Sequence, residues 1–177
     1  MRDLTDRALD TATSLGAGYA DVRIVRRRDE SIAIKSGKLE GVLSGESEGF
    51  GVRVLVDGAW GFASSHRLDL GEADRVAALA VRIARASATA LRTKVVLDDR
   101  PPAHGRYETP VVEDPFKIPV ERKIWHLLEA DQAARSVAGV TFTESTYGAQ
   151  REEKTFAATD GSFTEQSITH VGAAVES

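Results

Sequence analysis

Gly49–Ser65 reads GFGVRVLVDGAWGFASS, two strands closed by Asp57-Gly58. Val52, Val54 and Val56 fall on one face of the first strand and Arg53 and Leu55 on the other, because successive strand side chains alternate. A type I′ turn needs positive φ at both central residues, so Asp-Gly is among the strongest short hairpin signals. Trp60 and Phe62 then share a face of the return strand. Rings so placed read first as core, since their burial dominates core energetics, and second as the lining of a ligand groove. Gly45, Gly49 and Gly51 do not match G-x-G-x-x-G and precede a strand rather than a helix. They read as sites of a bulge or tight bend.

The two-residue period extends upstream through ADVRIVRRRDESIAIKSGKLEGVLSG, residues 20–45. Val22 and Ile24 alternate with Arg23, Ile32 and Ile34 with Ala33 and Lys35, and Ser36-Gly37-Lys38 makes a short turn into a return strand from Leu39 to Ser44. With the opening hairpin this predicts an antiparallel meander of about five strands. Before it, Leu4, Ala8, Ala12 and Leu15 recur at helical spacing, with Asp3 placed to cap and Gly16 or Gly18 to stop the helix.

After the hairpin, Asp69 and Glu72 form an acidic capping box for a second helix. Its apolar stripe is Val76, Leu79, Ile83 and Ala90, with Arg75, Arg82, Arg85 and Arg92 opposite. All five prolines fall in Pro101–Pro119, so residues 93–118 read as an extended connection, either a belt crossing the back of the sheet or a long functional loop. Pro119 suits the start of a third helix, with Ile124, Leu127, Leu128, Ala134 and Ala138 on its buried side. Val140, Phe142 and Phe156 return to a strand pattern, and Asp160-Gly161 marks a second hairpin. The expected fold is α+β: an antiparallel sheet, the meander plus a C-terminal hairpin, with about three helices packed on one face. Residues 1–177 read as a single domain, and an ending inside an apparent strand suggests a fragment whose last strand has lost its neighbours.

The 177 residues carry a net charge of −4 and no cysteine. The charge argues against a dedicated nucleic-acid binder, and disulfides and thiolate metal sites are excluded within this chain. MRDLTDRALD is charged from its second residue and lacks the apolar core of a secretory signal. No apolar run approaches the ~20 residues of a membrane span. The expected setting is cytoplasmic.

No complete catalytic constellation emerges. His66, His104, His126 and His170 are scattered, with no H-E-x-x-H spacing. Ser64-Ser65-His66 with Asp69 has the residue types of a hydrolytic triad, but consecutive residues at a strand end do not align hydroxyl, imidazole and carboxylate, and capping accounts for Asp69. Ser36-Gly37-Lys38 lacks the first glycine and final hydroxyl of a phosphate-binding loop. Arg26-Arg27-Arg28, followed at once by Asp29-Glu30, reads as a solvated strand end rather than a phosphate patch.

GFGVRVLVDGAWGFASS does, however, closely resemble the N-terminal hairpin of the TldD/PmbA family, the peptidase-like proteins once called modulators of DNA gyrase. ESIAIKSGKLEGVLSGESEGFG resembles the strands leading into it, ERKIWHLLEADQAAR the helix before the second sheet segment, and FAATDGSFTEQ the hairpin that follows. The wording leans toward the TldD branch. The resemblance implies the N-terminal domain of a longer two-domain zinc peptidase. Its metal site, an H-E-x-x-x-H motif with a cysteine, belongs to a C-terminal domain. None of those residues occurs here, so no catalytic or metal residue carries over and zinc is expected only in that other domain. The implied role is a scaffold or substrate channel for unfolded or small peptides, in a homodimer or a TldD/PmbA-type heterodimer. Arg53, Trp60 and Phe62 are the expected substrate or partner contacts. The alternative is a non-catalytic binding or assembly module.

Overall fold

The computed structural model describes the whole chain, Met1–Ser177. Its elements are α1 (Arg2–Ser14), β1 (Tyr19–Lys35), β2 (Lys38–Val56), β3 (Ala59–Ser65), α2 (Leu70–Ala88), β4 (His104–Glu108), α3 (Val120–Arg135), β5 (Glu144–Ala158) and β6 (Phe163–Glu176). Six strands form one sheet in the order β3-β2-β1-β5-β6-β4, and with the helices packed on it the fold is α+β. The stretches read as about five strands run together into two long strands, β1 and β2, and the short β3. Cross-strand ion pairs explain why the polar middle does not break them: Arg26 meets Glu48 at 2.9 Å, Arg28 meets Glu46 at 3.3 Å and Arg27 meets Glu152 at 2.7 Å.

Both tight turns follow local chemistry. Asp57 and Gly58 have φ of 53° and 86°, as a type I′ turn requires. β2 and β3 pair without interruption from Phe50↔Ser65 to Val56↔Ala59, so Gly51 makes no bulge against β3. Residues 93–118 start at the β2–β3 turn, where Val95 N donates to Gly58 O at 2.9 Å, and run to the opposite edge of the sheet. They supply β4, an edge strand: Phe163 N donates to Ala103 O at 2.8 Å and Thr109 N to Ser167 O at 2.9 Å, a nearly constant offset that makes β4 parallel to β6.

Contacts gather into two compact units that do not follow chain order. The first comprises Met1–Arg26, Glu48–Tyr107 and Glu153–Gln166, and the second Arg27–Ser47, Glu108–Glu152 and Ser167–Ser177. In the first, Val22, Ile24, Val52 and Val54 share a core with α2, which lies against β3 and packs against α1. α2 buries Ala73, Val76, Ala77, Ala80, Val81 and Ala84. The expected stripe is therefore rotated: Ile83 is exposed and Ala90 lies past the helix end. The reason is proximity. A Cβ on Gly61 would collide with the Ala80 carbonyl and come 2.6 Å from Ala84 N, so only small residues fit where α2 crosses β3. Asp69 caps α2 as expected, accepting from Glu72 N at 2.8 Å. Asp3 does not cap α1, whose N-cap is Met1.

In the second unit α3 buries Lys123, Leu127 and Asp131 at four-residue spacing. Leu127 packs with Ile32 and Ile34, flanked by partly buried Ile124, Leu128 and Tyr147, while Ala138 lies beyond the helix. Asp131 accepts from Thr143 Oγ1 at 2.6 Å, Arg135 Nε at 2.8 Å and Ser145 Oγ at 3.3 Å. Burial alone would push its carboxyl pKa up, but these donors outweigh it and the net shift is downward.

Candidate functional site

Because α2 takes up the Ala59–Gly61–Ala63 side of β3, Trp60 and Phe62 emerge on the opposite side. The reading of these rings as core is therefore corrected: Phe62 is 56% exposed and Trp60 half-buried. Alternation brings Arg53 of β2 directly opposite Phe62. Gly51 makes room for the Phe62 ring, since a Cβ there would lie 2.7 Å from it. The three residues singled out from the sequence thus share one face of the first unit.

What holds them was not read from the sequence. Asp21 of β1, 1% exposed, receives Arg53 Nε at 2.8 Å and Arg53 Nη2 at 2.7 Å on Oδ2. Its Oδ1 lies 3.5 Å from Arg23 Nη2 and has no hydrogen-bond partner within the protein. The Arg53 guanidinium, fixed by this charge, stacks 4.6 Å from the Trp60 ring centroid, and Tyr19 meets Trp60 edge-on at 6.0 Å. Arg23 sits 5.3 Å over Phe156. Burial, followed by the Asp21 charge, raises the Tyr19 pKa and keeps its phenol a neutral donor. Asp21, Arg23 and Arg53 occupy alternate positions to Val22, Ile24, Val52 and Val54, and that parity is the signal that could have grouped them. Two guanidiniums around one carboxylate leave the cluster with a surplus positive charge among aromatic rings. It can bind backbone carbonyls or carboxylates and stack on flat groups, but it holds no nucleophile activated by a base.

The remaining candidates have structural employment. Asp69 is committed to its cap and to Arg67 at 2.9 Å, and Ser65 Oγ accepts from Arg67 N at 3.2 Å. Ser36-Gly37 is a turn with φ of 45° and 81°. Arg26, Arg27 and Arg28 are spent in the cross-strand pairs. His66, His104, His126 and His170 belong to no group of three or more potential metal ligands. No helix is long and apolar enough to cross a membrane.

Two family models match the chain in succession: the PmbA/TldA metallopeptidase domain 1 over residues 20–84 and the PmbA/TldA metallopeptidase central domain over residues 113–177. The chain belongs to the TldD/PmbA family. The domain 1 match includes the open-face residues Asp21, Arg53, Trp60 and Phe62, and the central-domain match includes α3 and Asp131. A metalloprotease of Methanothermobacter thermautotrophicus is 32% identical over 153 residues, covering 86% of this chain and 32% of that protein. A metalloprotease of Methanocaldococcus jannaschii is 30% identical over 105 residues, covering 59% of this chain and 23% of that protein. The chain thus spans about a third or less of the length of the curated relatives it matches.

Solved structures share the fold. A Bacteroides thetaiotaomicron protein named as a candidate modulator of DNA gyrase superposes with TM-score 0.76 at 19% identity, covering 98% of this chain and 40% of that one. TldE from Thermococcus kodakarensis gives 0.66 at 14%, covering 97% and 37%. The family name implies a metal, but the residues present do not fit one: there is no cysteine, and no three potential ligands converge.

Proposed function

We propose that this chain is a substrate-channel wall of a TldD/PmbA-type zinc-dependent peptidase, holding unfolded or small peptides for bond cleavage by residues outside these 177. The observation that carries the reading is the helix-free face on which buried Asp21 fixes Arg53 against Trp60, beside Phe62. An extended peptide has repeating carbonyls for Arg53 and Arg23, and its side chains can lie on the rings irrespective of sequence. Binding of this kind retains a chain without selecting one residue, which suits a peptidase of broad substrate range. A cytoplasmic setting and a second family subunit, identical or of the opposite branch, complete the proposal; sedimentation velocity at increasing concentration reads the association.

The test joins this chain to a metal-binding half of the family. Relative to wild type, an Arg53→Ala/Trp60→Ala/Phe62→Ala fusion should raise KM for an unfolded polypeptide about tenfold, as loss of aromatic and guanidinium anchors does at interfaces. The kcat for a small chromogenic peptide should stay the same. An unchanged KM, or a catalytic half that is fully active with this chain removed, would sink the reading.

A further inference from the structure

On the open face of the first unit, one guanidinium is left without a hydrogen bond. Arg53 gives both Nε and Nη2 to Asp21 Oδ2, so its charge is matched by that buried carboxylate. Arg23 comes only within 3.5 Å of Asp21 Oδ1, makes no hydrogen bond inside the protein and keeps 44% of its side chain exposed. A planar guanidinium with uncommitted N–H groups is a fork that receives a carboxylate through two parallel bonds. Arg23 is therefore the surplus positive charge of the cluster, and it is reachable from solvent.

Aromatic rings stand on both sides of it. The half-buried Phe156 ring lies 5.3 Å from the guanidinium. β1 and β2 are antiparallel neighbours joined by the Ser36-Gly37 turn, and Asp21 beside Arg53 sets Arg23 beside Gly51. The Phe62 ring fills the space over Gly51. Rings in these places displace water from around the guanidinium, so an ion pair made there is stronger than one on an open surface. The next arginine along β1, Arg26, is already engaged with Glu48 at 2.9 Å. A peptide carbonyl offers Arg23 an acceptor without a charge, whereas a carboxylate offers both, and charge-assisted bonds are roughly twice as strong as neutral ones. A ring on each side suits a ligand that continues in both directions, which a mid-chain acidic residue does and a chain terminus does not.

We propose that Arg23 gives this face a preference for extended peptides carrying an acidic side chain, whose carboxylate sits on the guanidinium between Phe62 and Phe156. The inference rests on the peptide-holding reading of the face and names its favoured substrate class. Arg53, Trp60 and Phe62 hold any chain, and Arg23 favours an acidic one.

The experiment is ¹H–¹⁵N titration of the 177-residue protein at low ionic strength with acetyl-Val-Ala-Glu-Ala-Val-amide, with its glutamine counterpart, and with that glutamine peptide bearing a free C-terminal carboxylate. The glutamate peptide should bind about fivefold more tightly than the glutamine amide and shift resonances around Arg23, Gly51 and Phe156. Raising the salt to about 0.5 M should remove most of that difference, because the pair remains open to solvent. Arg23→Gln should bring the two amides to the same affinity, while Arg23→Lys, which keeps the charge but not the fork, should retain part of the preference. Equal binding of the two amides by wild type, a preference that survives Arg23→Gln, or tightest binding by the free-acid peptide would each overturn the inference and leave the peptide-holding reading standing. Failure of all the peptides to bind would overturn both.

Discussion

At Gly61 one added methyl group meets backbone rather than a yielding side chain. The Ala80 carbonyl and Ala84 amide stand where its Cβ would be, so α2 would have to lift from β3. Gly61→Ala is expected to destabilise by about 3 kcal/mol or more, through overpacking against main chain. Gly148→Ala provides the contrast: nothing lies within 4 Å of its added Cβ, and the change should stay within about 0.5 kcal/mol of neutral. Urea denaturation of the two variants separates them, and equal midpoints would refute the close-approach account. Neither outcome could be read from the sequence, where both positions are glycines within a strand. The same holds for Asp21: its alternation with Val22 was visible, but its burial depends on Arg53 from another strand.

Helix ends were legible where a side chain makes the cap. Asp69 accepts from the Glu72 amide, but the Glu72 carboxylate goes to Arg75 at 2.6 Å rather than back to the Asp69 amide, so the expected capping box is only half formed. Asp69→Ala should lower the thermal midpoint by about 3 °C, the usual consequence of losing an N-cap in a domain of this size. The urea m-value should not change, since the exposed surface of the unfolded chain is the same. A midpoint equal to wild type in differential scanning calorimetry would show that the cap contributes nothing. α1 lacked such a signal, because Met1 caps it without a side-chain bond. The buried face of α3 was only partly legible: Leu127 fits the apolar period, but Lys123 and Asp131 are polar residues, the first paired with Glu30 far away in the chain and the second with Thr143 and Ser145 beyond the helix end.

Across the whole molecule, several carboxylates titrate below their ordinary range. Asp69 is held down by the Glu72 amide, Asp74 by Arg7 and Asp114 by Arg151, while Arg75 takes Glu72 to about 2. For Asp131, burial is outweighed by Thr143 and Arg135. Each folded pKa lies below its unfolded counterpart, so the stability contributed is present above the unfolded value and is lost as pH falls through the folded one. The urea midpoint should hold steady above about pH 5 and drop steeply below about pH 4. Asp131→Asn should start lower at pH 7 and show a shallower acid slope. A midpoint that rises on acidification would contradict this assignment of charges.

Local chemistry alone determined that this chain is α+β, that Asp57-Gly58 and Ser36-Gly37 reverse it, that Asp69 starts a helix, and that its motifs resemble TldD/PmbA proteins. Only the tertiary structure decided which side of each strand is covered. Periodicity separates the residues of a strand into two sets, but the set that meets a helix is chosen by how closely remote segments approach. The contact of α2 with Gly61 sends Trp60 and Phe62 outward to Arg53 and Asp21. Pairing between distant strands likewise made β4 a parallel edge and left the Tyr147 hydroxyl without a partner, because hydrogen bonds between remote residues have no signature in local sequence.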